Sequence, residues 1–327
     1  MKAVVAHALG APESFAIENL PDPLPAAGQV RIAVAYAGLT YVDALVAAGK
    51  YQVKPPLPFI PGSEFSGVID AVGEGVPQSR VGQRVCASAP GGTYAGKAVV
   101  PEQEALPLPA DMPLDIGAII LVSYATSYYA LAIRGAVQPG ETVVVLGAGG
   151  AVGFAAVQLA KAMGARVIAS ASSAEKRAMT IAGGADAAVD ARAADWRDQV
   201  RAANDGKPVD IIYDPVSGDA TEPAFRSLGW GGRHLVVGFA SGSIAKLPVN
   251  LPLLKGASMV GVDYRQAIER DPPLKLRINA AVMDLYVEGR IAPKVARVFA
   301  FEDFAPAMNA AAKGAEAGRL LLAVNPQ

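Results

Sequence analysis

The stretch "VVVLGAGGAVGF", residues 143–154, decides the fold. A run of β-branched apolar residues breaks into glycine, and a small-residue helix opens behind it. A parallel strand hands over to a helix in this way at a dinucleotide site. The two-residue fingerprint Gly-x-Gly-x-x-Gly does not fit, because its last glycine, counted from Gly147, would fall on Val152. The spacing that fits is Gly147-x-x-Gly150-x-x-Gly153. A glycine triplet alone is a weak signal, and an inert turn is the bland alternative. Here it follows a Val-rich strand and precedes the helix "FAAVQLAKAMGA". The N–H groups of a helix start and the helix dipole both favour a pyrophosphate there. Gly147, Gly150, Ala151, Val152 and Gly153 are therefore the candidate phosphate contacts.

Working outward, strands alternate with helices. Strands are expected over 142–146, 166–170, 187–189, 209–213, 233–238 and 258–262. Helices are expected over about 151–163, 174–183 and 193–203. That alternation predicts a doubly wound parallel sheet with right-handed crossovers, a Rossmann domain. Upstream, "DIGAIILVSYATSYYALAIRGAV" (115–137) has the length and composition of one buried helix.

The second strand of such a domain ends at the ribose. An acid is expected there, about 20 residues past the glycines, for NAD. This chain has Ala171, followed by Ser172, Ser173, Lys176 and Arg177. Hydroxyls and cations suit an extra 2′-phosphate, so the residues point to NADPH, with Arg192 as a further phosphate contact. The bland reading of "SSAEKR" is a helix cap with Ser173 as N-cap and charges on a solvent face. The two readings are compatible.

The first part of the chain is written differently. "GQVRIAVAYAGL" alternates, "EFSGVIDAVGEGV" and "VGQRVCASA" are short strands between glycine turns, and "KPPLPFIPG" stops any helix. An irregular β-barrel-like domain is expected over residues 1–120, the nucleotide domain over 121–264, and a return to the first domain over 265–327. "GGTY" (91–94) reads as a mobile cleft-edge loop or, slightly favoured, as a plain loop.

Composition removes whole classes. The net charge of -1, with no basic block, gives no electrostatic reason to expect nucleic acid. The one cysteine, Cys86, excludes an intrachain disulfide and suits a reducing compartment. No secretory signal is read in "MKAVVAHALG". The uncharged stretches 116–133 and 142–160 are interrupted by hydroxyls or glycines, so buried elements are expected and no membrane span.

Together, "GKYQVKPPLPFIPGSEFSGVIDAVGEGV" (49–76), "VGQRV" (81–85), the segment 138–169, "VDIIYDPVSGD" (209–219), "LGWGGRHLVVGFASG" (228–242) and "AGRLLLAV" (317–324) carry a resemblance. The chain resembles the zinc-independent NADPH:quinone oxidoreductases, the ζ-crystallin-like branch of the medium-chain dehydrogenase/reductase superfamily. The longer glycine spacing is also what that branch shows. The resemblance implies an α/β fold in which the Rossmann sheet joins a GroES-like irregular β-barrel catalytic domain. It also implies a cytoplasmic homodimer that pairs the edge strands of its nucleotide domains. The segment "LPVNLPLLKGASMVGV" (247–262) can serve that edge or be internal.

Zinc-dependent relatives would carry Cys and His where this chain has Thr40 and Ser63, and their third ligand position falls near Val122. His7 and His234 stand far apart, and each reads as ordinary strand chemistry. No zinc is expected, since zinc takes Cys, His or carboxylate ligands. Catalysis is then direct hydride transfer from the cofactor, with the protein supplying position and polar tuning.

The resemblance implies Thr126 at the nicotinamide, with Gly238, Phe239 and Ala240 in the loop that passes it. It also places Val262 and Tyr264 where backbone holds the carboxamide. Arg319 replaces a common Lys and keeps the cation with altered geometry. Thr40, Tyr41 and Tyr51 are the substrate-side candidates, with plain packing of a wall as the alternative. The substrate expected is a quinone. An enone, alkenal or enoyl-thioester is the second reading, and an NADPH-binding sensor or crystallin-like protein with little turnover is the third.

Overall fold

The computed structural model describes residues 1–314 and 316–326. The chain runs through β1 (Lys2–Val5), β2 (Ala16–Asn19), β3 (Gln29–Leu39), α1 (Tyr41–Ala47), β4 (Glu64–Val72), β5 (Arg84–Ser88), β6 (Lys97–Pro101), β7 (Leu106–Pro107), α2 (Leu114–Gly117) and α3 (Leu121–Tyr128). It continues through β8 (Thr142–Val145), α4 (Ala151–Ala162), β9 (Arg166–Ala171), α5 (Ala174–Ala182), β10 (Ala187–Asp190), α6 (Trp196–Ala203), β11 (Val209–Asp214), α7 (Thr221–Ser227) and β12 (Leu228–Val236). Then come α8 (Asn250–Lys255), β13 (Ser258–Gly261), α9 (Tyr264–Arg270), α10 (Pro272–Val287), β14 (Val295–Ala300), α11 (Phe304–Lys313) and β15 (Arg319–Ala323). No helix among the described residues is long and apolar enough to cross a membrane.

Two compact units result: Met1–Val122 with the chain from Pro293 onward, and Ser123–Ala292. In the first, strands lie in the order β14-β15-β3-β4-β5-β7, with β6 on β3. The alternation in β3 turns Val30, Ile32 and Val34 inward, where they pack with Phe65, Ile69 and Val85. In the second, the order is β10-β9-β8-β11-β12-β13, parallel throughout. Read by chain position this is the 3-2-1-4-5-6 order of a dinucleotide fold, whose switch point lies between β8 and β11. All four residues of β8 are buried, as expected of an inner parallel strand covered on both faces.

Three expectations change. The single helix over 115–137 is broken into α2, α3 and a π-helical turn over Tyr129–Arg134. Ala118 and Ile119, between α2 and α3, are buried with Leu321, and an added Cβ on Gly38 would stand 2.5 Å from Ala118 O. The break is the chain pressing onto β3 just before it enters the second unit. The return to the first unit comes at Pro293 and not at 265. Gln158 of α4 explains this: its amide donates to Ala292 O at 3.0 Å and accepts from Ala292 N at 3.0 Å. "GGTY" is no mobile tip, because Thr93 and Tyr94 are fully buried and Gly62 packs against both.

Candidate functional site

The glycine turn is built by three close approaches. Gly147 sits at φ +57°, and a Cβ on it would come within 2.8 Å of Val216 Cγ2. A Cβ on Gly153 would stand 2.2 Å from Gly147 O, so only glycine lets α4 rest on the turn. Gly150 is the N-cap of α4, and no side chain caps this helix. Its first-turn N–H groups therefore rely on a partner other than a capping side chain, as an anion site requires.

Lys176 completes the arrangement. It is buried, and a Cβ on Gly149 would stand 2.6–2.7 Å from its Cβ, Cγ and Cδ. The stem of Lys176 thus lies across the glycine turn, and residue 149 must be glycine to admit it. Ser173 does cap α5, accepting from Lys176 N at 3.2 Å. The cap orients the helix that carries the lysine. Ala171 ends β9 buried, Ser172 is half-buried and Arg192 is exposed. Arg177 is committed to Asp190 at 3.1 Å and to Ala171 O at 3.2 Å.

A cavity of about 560 Å³ opens beside the turn, lined among others by Gly147, Ser170, Ala191, Trp196, Val216 and Pro223. It lies at the carboxyl ends of β8, β9, β10 and β11, the place where open α/β sheets bind ligands. Trp196 Nε1 donates to Ser170 Oγ at 2.9 Å, which fixes one wall. Neither Trp196 nor Val216 was singled out from the sequence. "YDPVSGD" follows β11, and a loop after an inner strand is the signal that could have found Val216.

Thr126 is half-buried on α3. Its neighbour Ser127, missed by sequence reasoning, donates to Val152 O at 2.8 Å and accepts from Tyr213 Oη at 2.8 Å. That pair of bonds ties α3 to the start of α4 and to β11. Gly238 N reaches Asp214 O at 3.3 Å and Ala240 N reaches Pro215 O at 3.0 Å, while Phe239 is exposed. Val262 is buried with its N–H on Val236 O at 3.0 Å. The Tyr264 ring lies 5.7 Å from that of Tyr129.

In the first unit Thr40 is the N-cap of α1. Its Oγ1 accepts from Asp43 N at 3.0 Å, and its own N–H donates to Asp43 Oδ2 at 2.8 Å. Tyr94 Oη also donates to Asp43 Oδ2, at 3.1 Å. Burial pushes the Asp43 carboxyl above its ordinary value against the pull of these donors. The Thr40 side chain also hydrogen-bonds the Asp43 carboxyl, so cap and carboxylate hold the hydroxyl together. Tyr41 and Tyr51 are half-buried. Arg319 is buried and paired with buried Glu64, whose Oε2 also accepts from Val122 N at 3.0 Å.

Two family models match the chain: "Alcohol dehydrogenase GroES-like domain" over residues 26–110 and "Zinc-binding dehydrogenase" over 151–275. The chain is 35% identical over 296 residues to a quinone oxidoreductase-like protein 2 homolog of Nematostella vectensis, covering 89% of this chain and 80% of that one. The rat quinone oxidoreductase-like protein 2 is 34% identical over 297 residues, covering 90% of this chain and 85% of that one.

The chain belongs to the quinone oxidoreductase-type branch of the medium-chain dehydrogenase/reductases.

Among solved structures, the quinone oxidoreductase of Thermus thermophilus, also known in complex with NADPH, matches this chain with TM-score 0.86 and 31% identity. The match covers 99% of this chain and 100% of that one. A probable oxidoreductase from Mycobacterium abscessus matches with TM-score 0.88 and 32% identity over 99% of this chain and 98% of that one. The chain is thus an oxidoreductase with a fold that binds a nicotinamide cofactor. The residues present fit that cofactor: the glycine turn has an approach that any Cβ would close, and a buried lysine crosses it.

Zinc, which the name of one family model implies, does not fit this member. Thr40 is spent as a cap, Ser63 and Val122 offer no metal ligand, and Glu64 is held by Arg319. Cys86 is fully buried, and burial, with Glu64 beside it, pushes its thiol far above the usual range. Native protein is therefore expected to leave Cys86 unlabelled by a thiol reagent, with one equivalent reacting after unfolding. Stoichiometric labelling of the folded chain would contradict this burial.

Proposed function

We propose that the chain is an NADPH-dependent quinone reductase that works without zinc. The observation that carries the reading is Lys176, laid across Gly149 beside a strand end where Ala171 replaces an acid. A carboxylate there would repel a 2′-phosphate, whereas the ammonium attracts it. Ser172, Ser173 and Arg192 share the same side of the strand ends, and the apolar wall of Ala191, Trp196 and Val216 suits a planar base. Bound NADPH supplies a hydride.

The protein's own residues bind, orient and donate. Gly147, Gly150 and Gly153 let backbone approach the pyrophosphate. The loop of Gly238, Phe239 and Ala240, with Val262, Tyr264 and Thr126, holds the nicotinamide end. Tyr41 and Tyr51 offer phenols to the carbonyl oxygen of the substrate, and Thr40, held in the cap with Asp43, is the third substrate-side candidate. Arg319, which replaces a common Lys and is paired with Glu64, is the further cofactor-side cation. The exposed edge strand β13, with Met259 and the nearby Trp230 in the open, is the edge on which a homodimer would pair. A lone buried cysteine fits a reducing cytoplasm.

The test is consumption of NADPH and of NADH with 1,4-benzoquinone, 9,10-phenanthrenequinone, an enone and crotonyl-CoA. Rapid quinone turnover with NADPH preferred is expected. Lys176→Met should raise the KM for NADPH about tenfold, the loss of roughly 1.4 kcal/mol of phosphate contact, and leave that for NADH unchanged. Equal use of both cofactors would sink the phosphate assignment. Turnover of the enone alone would move the substrate class, and binding without turnover of any acceptor would identify a sensor.

A further inference from the structure

We propose that His234 is a positioning residue for the cofactor: through Asp214 it fixes the two loops between which the nucleotide lies. The inference rests on the cofactor reading above and adds a residue to it.

His234 lies in the interior of β12 with no exposure. An inner parallel strand is normally apolar, so a histidine there calls for a partner. Its Nε2 stands 2.9 Å from Asp214 Oδ2, and its ring stacks on Phe225 with centroids 6.0 Å apart. Nδ1 has no hydrogen-bond partner among the described residues. Because a carboxylate only accepts, Nε2 carries a proton and donates it to Asp214.

Asp214 ends β11 and is buried. Its Oδ1 accepts from Val216 N at 2.9 Å and from Ser217 N at 2.8 Å. Its Oδ2 accepts from Thr221 Oγ1 at 2.8 Å as well as from His234. Four donors thus fill the four lone-pair sites of one carboxylate. Burial alone would raise its pKa, but His234, Ser217 N–H and Thr221 together hold it below the ordinary carboxylate range. The aspartate is an anion at neutral pH that grips the turn after β11.

That turn is strained. Ser217 adopts φ 62°, ψ −159°, a region that a residue with a Cβ rarely enters. Such a conformation persists only where surrounding bonds over-determine it, and it clusters at ligand sites. The result of the strain is a placement: Val216 packs on Gly147 and lines the cavity beside the glycine turn.

The same aspartate controls the second loop. Asp214 O accepts from Val237 N at 2.9 Å and from Gly238 N at 3.3 Å. Pro215 O accepts from Ala240 N at 3.0 Å and Val216 O from Ser241 N at 2.9 Å. The loop assigned to the nicotinamide is thus laced onto the turn that packs under the pyrophosphate, and His234 reaches both from the strand beneath.

His234→Phe keeps the ring against Phe225 and removes the donor. NADPH affinity, followed by quenching of protein fluorescence, and the KM for NADPH should weaken tenfold or more, with the KM for quinone within twofold of wild type. His234→Gln, whose amide N–H can take the place of Nε2–H, should return both to within threefold. Thr221→Val removes another donor from the same oxygen and should weaken NADPH threefold or more, which carries the test if the phenylalanine variant does not fold. Wild-type NADPH affinity in either folded variant, or equal weakening of NADPH and quinone, would overturn the proposal. Failure of the wild-type protein to bind NADPH would instead overturn the cofactor reading on which it rests.

Discussion

Gly153→Ala is expected to lower NADPH affinity at least 100-fold, about 2.8 kcal/mol at 1.4 kcal/mol per tenfold. The added methyl would stand 2.2 Å from Gly147 O, 2.8 Å from Gly147 C and 2.9 Å from Ala148 Cα. All three are backbone atoms of the turn, so no side chain can swing aside to admit it. Either α4 lifts from the turn or the turn opens, and both move the N–H groups of the helix start away from the anion. The overpacking also costs roughly 1–3 kcal/mol of stability. Gly150→Ala is the contrast. A Cβ there would meet Gly147 O at 3.3 Å, and the residue's φ of −89° suits any amino acid. It should cost NADPH less than tenfold. Fluorescence titration of both variants, with circular dichroism to verify folding, checks the pair. A Gly153→Ala protein that binds NADPH like the wild type would remove the glycine turn from the cofactor site.

Arg319→Met is expected to destabilise the first unit by about 3–5 kcal/mol, the usual cost of stripping one partner from a buried ion pair. Glu64 is 1% exposed and Arg319 is 5% exposed, so neither charge has solvent to fall back on. The sign of the pH dependence follows from the carboxyl. Burial outweighs Arg319 and Val122 N–H, so the Glu64 pKa stands above its ordinary value in the folded chain. Without Arg319 the folded state holds that proton more tightly still. The variant's deficit is therefore smallest in acid, where Glu64 is neutral. It widens as pH rises through the raised folded pKa of the wild type, since below that both proteins lose stability alike as the unfolded carboxyl ionises. Urea unfolding at pH 5 and pH 8 reads this directly. Arg319→Met combined with Glu64→Leu removes both charges and should recover most of the loss. An Arg319→Met variant as stable as wild type at both pH values would show that the pair contributes nothing.

The two variants divide along what local sequence can and cannot show. Gly147, Gly150 and Gly153 are legible because a turn, a helix start and a strand end are contiguous, and each imposes its own requirement on neighbouring residues. The alternation of strands and helices from Thr142 to Gly261 is legible for the same reason, as is the cap at Ser173. The failures lie where distant segments meet. The expected helix over 115–137 had the right composition, but the packing of Ala118 and Ile119 with Leu321 broke it. "GGTY" is a loop, as its composition says, but not a mobile one, because Thr93 and Tyr94 fill the interior where Gly62 leaves room for them. His234 reads as an ordinary strand residue and does lie in β12, but its partner Asp214 on the neighbouring strand β11 is not legible in the sequence.

By itself the sequence determined the sheet that binds a nucleotide, the register of its glycine turn, the absence of an acid after β9 and the lack of zinc ligands at Thr40, Ser63 and Val122. Each is a property of residues close in the chain, set by backbone geometry or by the donor atoms a side chain owns. The tertiary structure alone decided that Lys176 crosses Gly149, that Asp214, bonded by His234, holds the segments after β11 and β12, and that Glu64 meets Arg319 from 255 residues away. These are pairings of buried polar groups. They are fixed by which strands lie side by side, since a polar group without water must take the partner that packing brings to it.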